Sequence, residues 1–188
     1  MEVELGFKLK NDFNYYDNLL KDNGFINYNT VLTHDIYYTN RDLKDLSENE
    51  MKNACIRLRS VDDSDYKIQN NLLSEIKDSF VLKDNINSFE SLVSKYGYKK
   101  IFDTTKKDYH YSKSGMNGII QIQDIDDIGL LLYYDNSDYY EYDVDIQRKM
   151  LIDELNSYGF DFNYDVLCLD KLRSLFYRKE MYSKNICE

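Results

Sequence analysis

A chain of 188 residues, 43% of them hydrophobic, can bury one core without disulfides or metals as staples, so a single domain over 1–188 is expected. Its formal net charge of −10 argues against a general nucleic-acid binder, which needs a basic surface, but leaves room for a small basic pocket inside an acidic shell. No apolar run nears the ~20 residues of a membrane span, and the start MEVELGFKLK carries charges where a signal peptide is apolar. A cytoplasmic protein without a membrane partner is the expectation.

The first element is a strand over 3–10, with Val3, Leu5, Phe7 and Leu9 alternating onto one face. A helix follows over 15–23, with Tyr16, Leu19 and Leu20 on one side, and ends at Gly24-Phe25. Strands are predicted over 35–39, 54–61, 66–69 and 75–82. A second helix, 89–96, groups Phe89, Leu92, Val93 and Tyr96 and ends at Gly97-Tyr98. Strands over 106–111, 119–123 and 129–135 come next. A third helix, 146–158, places Met150, Leu151, Glu154, Leu155 and Tyr158 on one face and ends at Gly159-Phe160. Eight strands, many joined directly and several alternating, predict an α+β fold around an antiparallel sheet.

The polar sides of these strands carry the chemistry. Glu2, Glu4, Gly6, Lys8 and Lys10 share one face of the first strand, and Arg57 and Arg59 share one face of the third. Lys67 pairs with Gln69 in the same way; Lys106 and Lys107 lie on a later strand; Gln121, Gln123, Asp124 and Asp135 stand near the end. If the sheet closes with these faces inward, its lumen holds a basic wall and an acidic wall. Guanidinium and ammonium groups suit phosphate oxygens, and carboxylates opposite them suit a divalent metal that bridges phosphates and water. A solvated charged face is the other reading of the same alternation. Cys55, Cys168 and Cys187 are odd in number and scattered, and His34 and His110 are too few for a zinc site, so a metal would be carboxylate-held Mg²⁺ or Mn²⁺. No P-loop, dinucleotide fingerprint or nucleophile motif is present.

In chain order, several segments resemble the CYTH family, the triphosphate tunnel metalloenzymes. Glu2-Val3-Glu4 is similar to the E-x-E-x-K signature that opens the family. His34-Asp35-Ile36-Tyr37-Tyr38-Thr39 resembles the D-x-Y-[FY]-D strand of class IV adenylate cyclases, and Ala54-Cys55-Ile56-Arg57-Leu58-Arg59 the L-R-I-R strand. The second helix followed by Lys106-Lys107, the segment Ile122 to Gly129, the closing helix and the basic tail over 169–179 are similar to the family's later landmarks.

The resemblance implies a closed eight-stranded antiparallel barrel, the triphosphate tunnel, with flanking helices. It implies Mg²⁺ or Mn²⁺ held by Glu2, Glu4, Glu75, Asp124 and Asp135, and phosphate held by Arg57, Arg59, Lys67, Lys106 and Lys107. Glu2, Glu4 and Lys8 would form the catalytic set. The implied activity is metal-dependent hydrolysis of a nucleoside, thiamine or inorganic triphosphate, or of an RNA 5′-triphosphate end. A class IV adenylate cyclase-type cyclisation and a nucleotide-binding sensor or sponge are the alternatives. Departures bear on the choice. Gly6 stands at the signature lysine, with Lys8 displaced ~6.6 Å along the strand. Gln69 stands where a T-x-K lysine falls, Leu73 replaces the arginine of an R-x-E pair, and the last strand keeps only Asp135 of an E-x-E pair. A charge-assisted contact contributes about 1.5–3 kcal/mol, so several such losses could silence turnover while binding survives. A homodimer is the base-rate expectation for a small soluble protein.

Overall fold

The computed structural model describes residues 5–42, 50, 53–69, 79–126 and 128–161. The strands are β1 (Leu5–Lys8), β2 (Ile26–Thr39), β3 (Cys55–Val61), β4 (Tyr66–Gln69), β5 (Phe80–Val81), β6 (Lys99–Ser112), β7 (Gly118–Ile125) and β8 (Gly129–Asn136). The helices are α1 (Phe13–Asp22), α2 (Ile86–Ser94) and α3 (Val144–Ser157). The eight strands form one antiparallel sheet in the order β1-β8-β7-β6-β2-β3-β4-β5. That order is open, ending at β1 and β5, so a closed barrel is not what the described strands display.

Two compact units divide the described chain: 5–30 with 107–161, and 31–106. β2 and β6, at 14 residues each, run from one unit into the other.

In the first unit, Leu5, Phe7, Ile120, Ile122, Leu132 and Tyr134 line one face of β1, β7 and β8 and are at most 1% exposed. Tyr16 and Leu20 of α1 and Leu151 and Leu155 of α3 cover that face. α1 starts at Asp12, whose carboxylate accepts from the Tyr15 N–H at 2.9 Å. It ends at Gly24 in the left-handed region (φ 82°), which turns Phe25 back into the core; its N–H donates to the Leu20 carbonyl at 3.0 Å. α3 ends the same way at Gly159, and Phe160 is again buried.

In the second unit, Ile36, Tyr38, Ile56, Leu58, Tyr66, Ile68 and Val81 form a smaller core with Val93 of α2. β2 and β6 both start well before their predicted bounds. The early half of β2 carries Asn27, Asn29 and Thr30 and exposes Ile26 and Tyr28, so no buried alternating face announces it; pairing within the sheet holds it extended. β3 meets β4 through a tight turn in which Asp62 (φ 48°) and Asp63 (φ 65°) both occupy the left-handed region and the Ser64 N–H donates to the Val61 carbonyl.

Candidate anion-binding site

Cross-strand register in the second unit builds two rows on the face away from its core. Tyr37 stands opposite Arg57, and Arg57 opposite Gln69. Asp35 stands opposite Arg59, and Arg59 opposite Lys67. Side chains two residues apart share a face, so these six groups point the same way. β6 adds to that face: Phe102 packs on Tyr37 with ring centroids 4.7 Å apart, and Thr104 and Lys106 follow at intervals of two.

Asp35 is the centre of this cluster. It is 2% exposed, and Arg59 grips it with a two-pronged fork, Nε to Oδ1 at 2.7 Å and Nη2 to Oδ2 at 2.6 Å. Burial by itself would raise the Asp35 carboxyl. The hydrogen bond and charge of Arg59, with the charges of Arg57 and Lys106, outweigh burial and hold it below the ordinary carboxylate value. Asp35 is therefore a carboxylate at neutral pH, encircled by three cations. Arg57 reaches the Tyr37 hydroxyl, whose own pKa burial and the Asp35 charge push up. Lys106 is only 6% exposed, and a buried ammonium requires a counter-charge, which Asp35 supplies. Two buried polar atoms on this face have no hydrogen-bond partner: the Gln69 amide oxygen and the Thr104 hydroxyl, the latter in a residue 3% exposed. Within residues 31–106 the cations Arg57, Arg59, Lys67 and Lys106 outnumber the carboxylate of Asp35 on this face, which makes it a candidate for holding an anion.

The remaining predicted residues divide among several places. Arg57, Arg59, Lys67 and Lys106 come together as described. Lys107 has the opposite strand parity and is exposed, with its ammonium 5.1 Å from the centre of the Tyr109 ring. In the first unit, Lys8 is half-buried opposite Leu131, and Gly6 lies opposite Tyr133. Gln121 and Gln123 oppose Tyr133 and Leu131 from the other side. Asp135 shares that polar face, four residues along β8 from Leu131 and hence ~13 Å from the Lys8 row. Asp124 is exposed, and its parity puts it on the face of Ile120 and Ile122, away from Asp135. Glu2, Glu4 and Glu75, and with them Cys168, Cys187 and the tail over 169–179, lie outside the described residues. Among the described residues no three His, Cys, Asp or Glu side chains group as a metal site.

Asp35 is the member of this cluster that the charge pattern of the sequence did not assign to the site. It lay in the D-x-Y-Y segment, and its signal was an acid alternating with Tyr37 on a strand next to Arg57 and Arg59. His34 has the other parity: its Nδ1 meets the Tyr66 hydroxyl at 2.5 Å, on the core side. His110 lies beside the Tyr28 ring, at 6.1 Å between centroids. Cys55 is a buried thiol, which burial pushes up to about 11.

No family model matches this chain, and no curated protein matches it. Solved structures do. A Pyrococcus horikoshii protein aligns over 86% of this chain and 92% of its own at TM-score 0.54 and 15% identity. A proposed adenylate cyclase of Vibrio parahaemolyticus aligns over 87% and 94% at TM-score 0.50 and 15% identity. A second proposed adenylate cyclase, of Bacillus halodurans, aligns over 94% and 97% at TM-score 0.53 and 10% identity. At such identities the likeness is one of fold. The chain shares the fold of these structures, which supports the CYTH-like fold that the order of segments in its sequence implies.

Proposed function

We propose that this protein binds a triphosphate-bearing small molecule on the Arg57–Lys106 face and hydrolyses it in a Mg²⁺- or Mn²⁺-dependent reaction. The observation that carries the reading is the cluster of three cations around one buried carboxylate, on one polar face of a sheet shared with two proposed adenylate cyclases. Arg57 and Lys106 would clamp phosphate oxygens, the first as a planar fork and the second as a point charge. They would also stabilise negative charge developing on the transferred group. Arg59, locked by Asp35, would lend charge and hold the floor of the site in register. Lys67, across from Arg59, would meet the outer oxygens.

The metal and the tunnel belong to the proposal. Glu2, Glu4 and Glu75 with Asp135 would hold the cation, which when bound would polarise the phosphates and lower the pKa of a water. Asp124, the fifth acid of the expected set, is exposed on the opposite strand parity from Asp135. Closure of the sheet into a tunnel would shield the reacting phosphates from bulk water.

Binding without turnover is the second reading. Gln69 at the site of an expected lysine and Gly6 in the signature favour it, because each removes a cation while Arg57 and Lys106 remain. The test is phosphate release and product analysis over nucleoside triphosphates, thiamine triphosphate and inorganic tripolyphosphate with Mg²⁺ or Mn²⁺, beside thermal shift with the same panel. Phosphate formation that disappears in Arg57→Ala establishes hydrolysis. A cyclic nucleotide product would replace hydrolysis by cyclisation. A thermal shift without product, abolished by Arg57→Ala, would establish binding alone, and no shift with any ligand would refute the anion site.

A further inference from the structure

The amide oxygen of Gln69 is buried without a hydrogen-bond partner on the face of Arg57. Phosphate oxygens are acceptors at neutral pH, and so is an amide carbonyl. The Thr104 hydroxyl can rotate to donate to a phosphate and so is silent about the rest of the ligand. Gln69 Oε1 is not silent: it is buried and partnerless, and only an N–H or O–H donor satisfies it. Its place is equally specific. Gln69 stands directly opposite Arg57 and so one strand spacing, ~4.8 Å, from the row that would hold phosphate. On the other side of Arg57 stands Tyr37, whose ring packs at a tilt on Phe102, each ring 7% exposed.

We infer that Gln69 is a specificity-determining residue. Its amide oxygen accepts a hydrogen bond from the organic part of the ligand, an amino or imino group of a base or a sugar hydroxyl. The site thereby selects a phosphate ester over inorganic polyphosphate. The inference rests on the anion-site reading above and adds to it which end of the ligand lies over β4. The physical ground is asymmetry: an inorganic chain leaves the buried acceptor unmade, which costs about 1–3 kcal/mol, while a donor-bearing ester restores it.

The experiment is calorimetric titration of the full chain with ATP, GTP, CTP, UTP and inorganic tripolyphosphate, in the unmodified protein and in Gln69→Leu, Gln69→Lys and Arg57→Ala. We expect at least one nucleotide to bind about tenfold more tightly than tripolyphosphate. Gln69→Leu should lose that preference, weakening the nucleotide about tenfold with little change for tripolyphosphate. Gln69→Lys should reverse it, since an added ammonium favours the bare polyanion. Equal weakening of both ligands in Gln69→Leu would overturn the inference by making the amide a phosphate donor, as would an unaltered preference in Gln69→Leu and Gln69→Lys. Tight binding insensitive to Arg57→Ala would overturn the anion-site reading instead, which keeps the two failures distinguishable.

Discussion

Asp35 sets the electrostatic balance of the candidate site. With its carboxylate present, Arg59 is neutralised and the cluster keeps an excess of positive charge through Arg57 and Lys106. Asp35→Asn leaves Arg59 without its fork partner, and we expect a stability loss of about 2 kcal/mol in urea unfolding. The same substitution frees a guanidinium, so tripolyphosphate should bind more tightly to the folded variant by thermal shift. The pH dependence follows from the sign of the shift. A depressed carboxyl contributes stability above its unfolded pKa and loses it as pH falls through the folded value. The acid limb of a stability profile should accordingly be shallower in Asp35→Asn. At the phosphate contacts, Arg57→Ala should weaken triphosphate binding by about 10- to 100-fold, the equivalent of one charge-assisted contact. Lys107→Ala, on the exposed opposite face, should leave it unchanged.

Among elements, the β3–β4 turn and the start of β7 are the places where backbone geometry restricts sequence. Asp62 and Asp63 occupy the left-handed region, which an unbranched, short polar side chain tolerates better than a β-branched one. The Asp62 carboxylate accepts from the Leu32 N–H at 2.9 Å, and Asp63 pairs with Lys83. Asp63→Val, β-branched at φ 65°, should destabilise by about 1–2 kcal/mol, whereas Asp63→Gly should not. Gly118 opens β7 against the wholly buried Tyr134. A Cβ there would stand 2.8 Å from the Tyr134 hydroxyl and 2.9 Å from its ring. Gly118→Ala should cost about 1–3 kcal/mol, read as a fall in melting temperature. The Tyr134 hydroxyl cannot easily yield, since it donates to Glu154 of α3. That carboxylate also accepts from Tyr139 and Tyr158, each at 2.9 Å. Glu154 sits on an otherwise apolar helix face because three phenols gather around it.

At the scale of the molecule, buried tyrosines enter both cores, Tyr16, Tyr111 and Tyr134 in one and Tyr38 and Tyr66 in the other. Among the described residues seven tyrosines have phenols raised above their ordinary value, each with burial as the leading cause. Tyr139 is pushed up to about 12. A raised phenol stays protonated in the folded chain while the unfolded chain ionises near pH 10, so stability is intact below that pH and falls above it. A single fully buried phenol gives a slope of up to ~1.4 kcal/mol per pH unit. Urea midpoints should hold between pH 7 and 9 and drop steeply above 10; a midpoint independent of pH to 11 would contradict the buried hydroxyl arrangement.

Sequence by itself determined the local grammar: the three glycine-aromatic helix ends, the eight strands in order, and the α+β class. These follow from nearest-neighbour physics, since φ restrictions and side-chain periodicity act within a few residues. It also brought Arg57 and Arg59 onto one face. Tertiary structure decided what those faces meet. Only pairing between strands placed Asp35 against Arg59 and Gln69 against Arg57, and separated Asp124 from Asp135. The full lengths of β2 and β6 were likewise invisible locally: the early half of β2 has no alternating buried face, and in β6 the buried alternation runs through the polar Thr104 and Lys106. Register between strands is a long-range property, and the identity of a charge's neighbour depends on it.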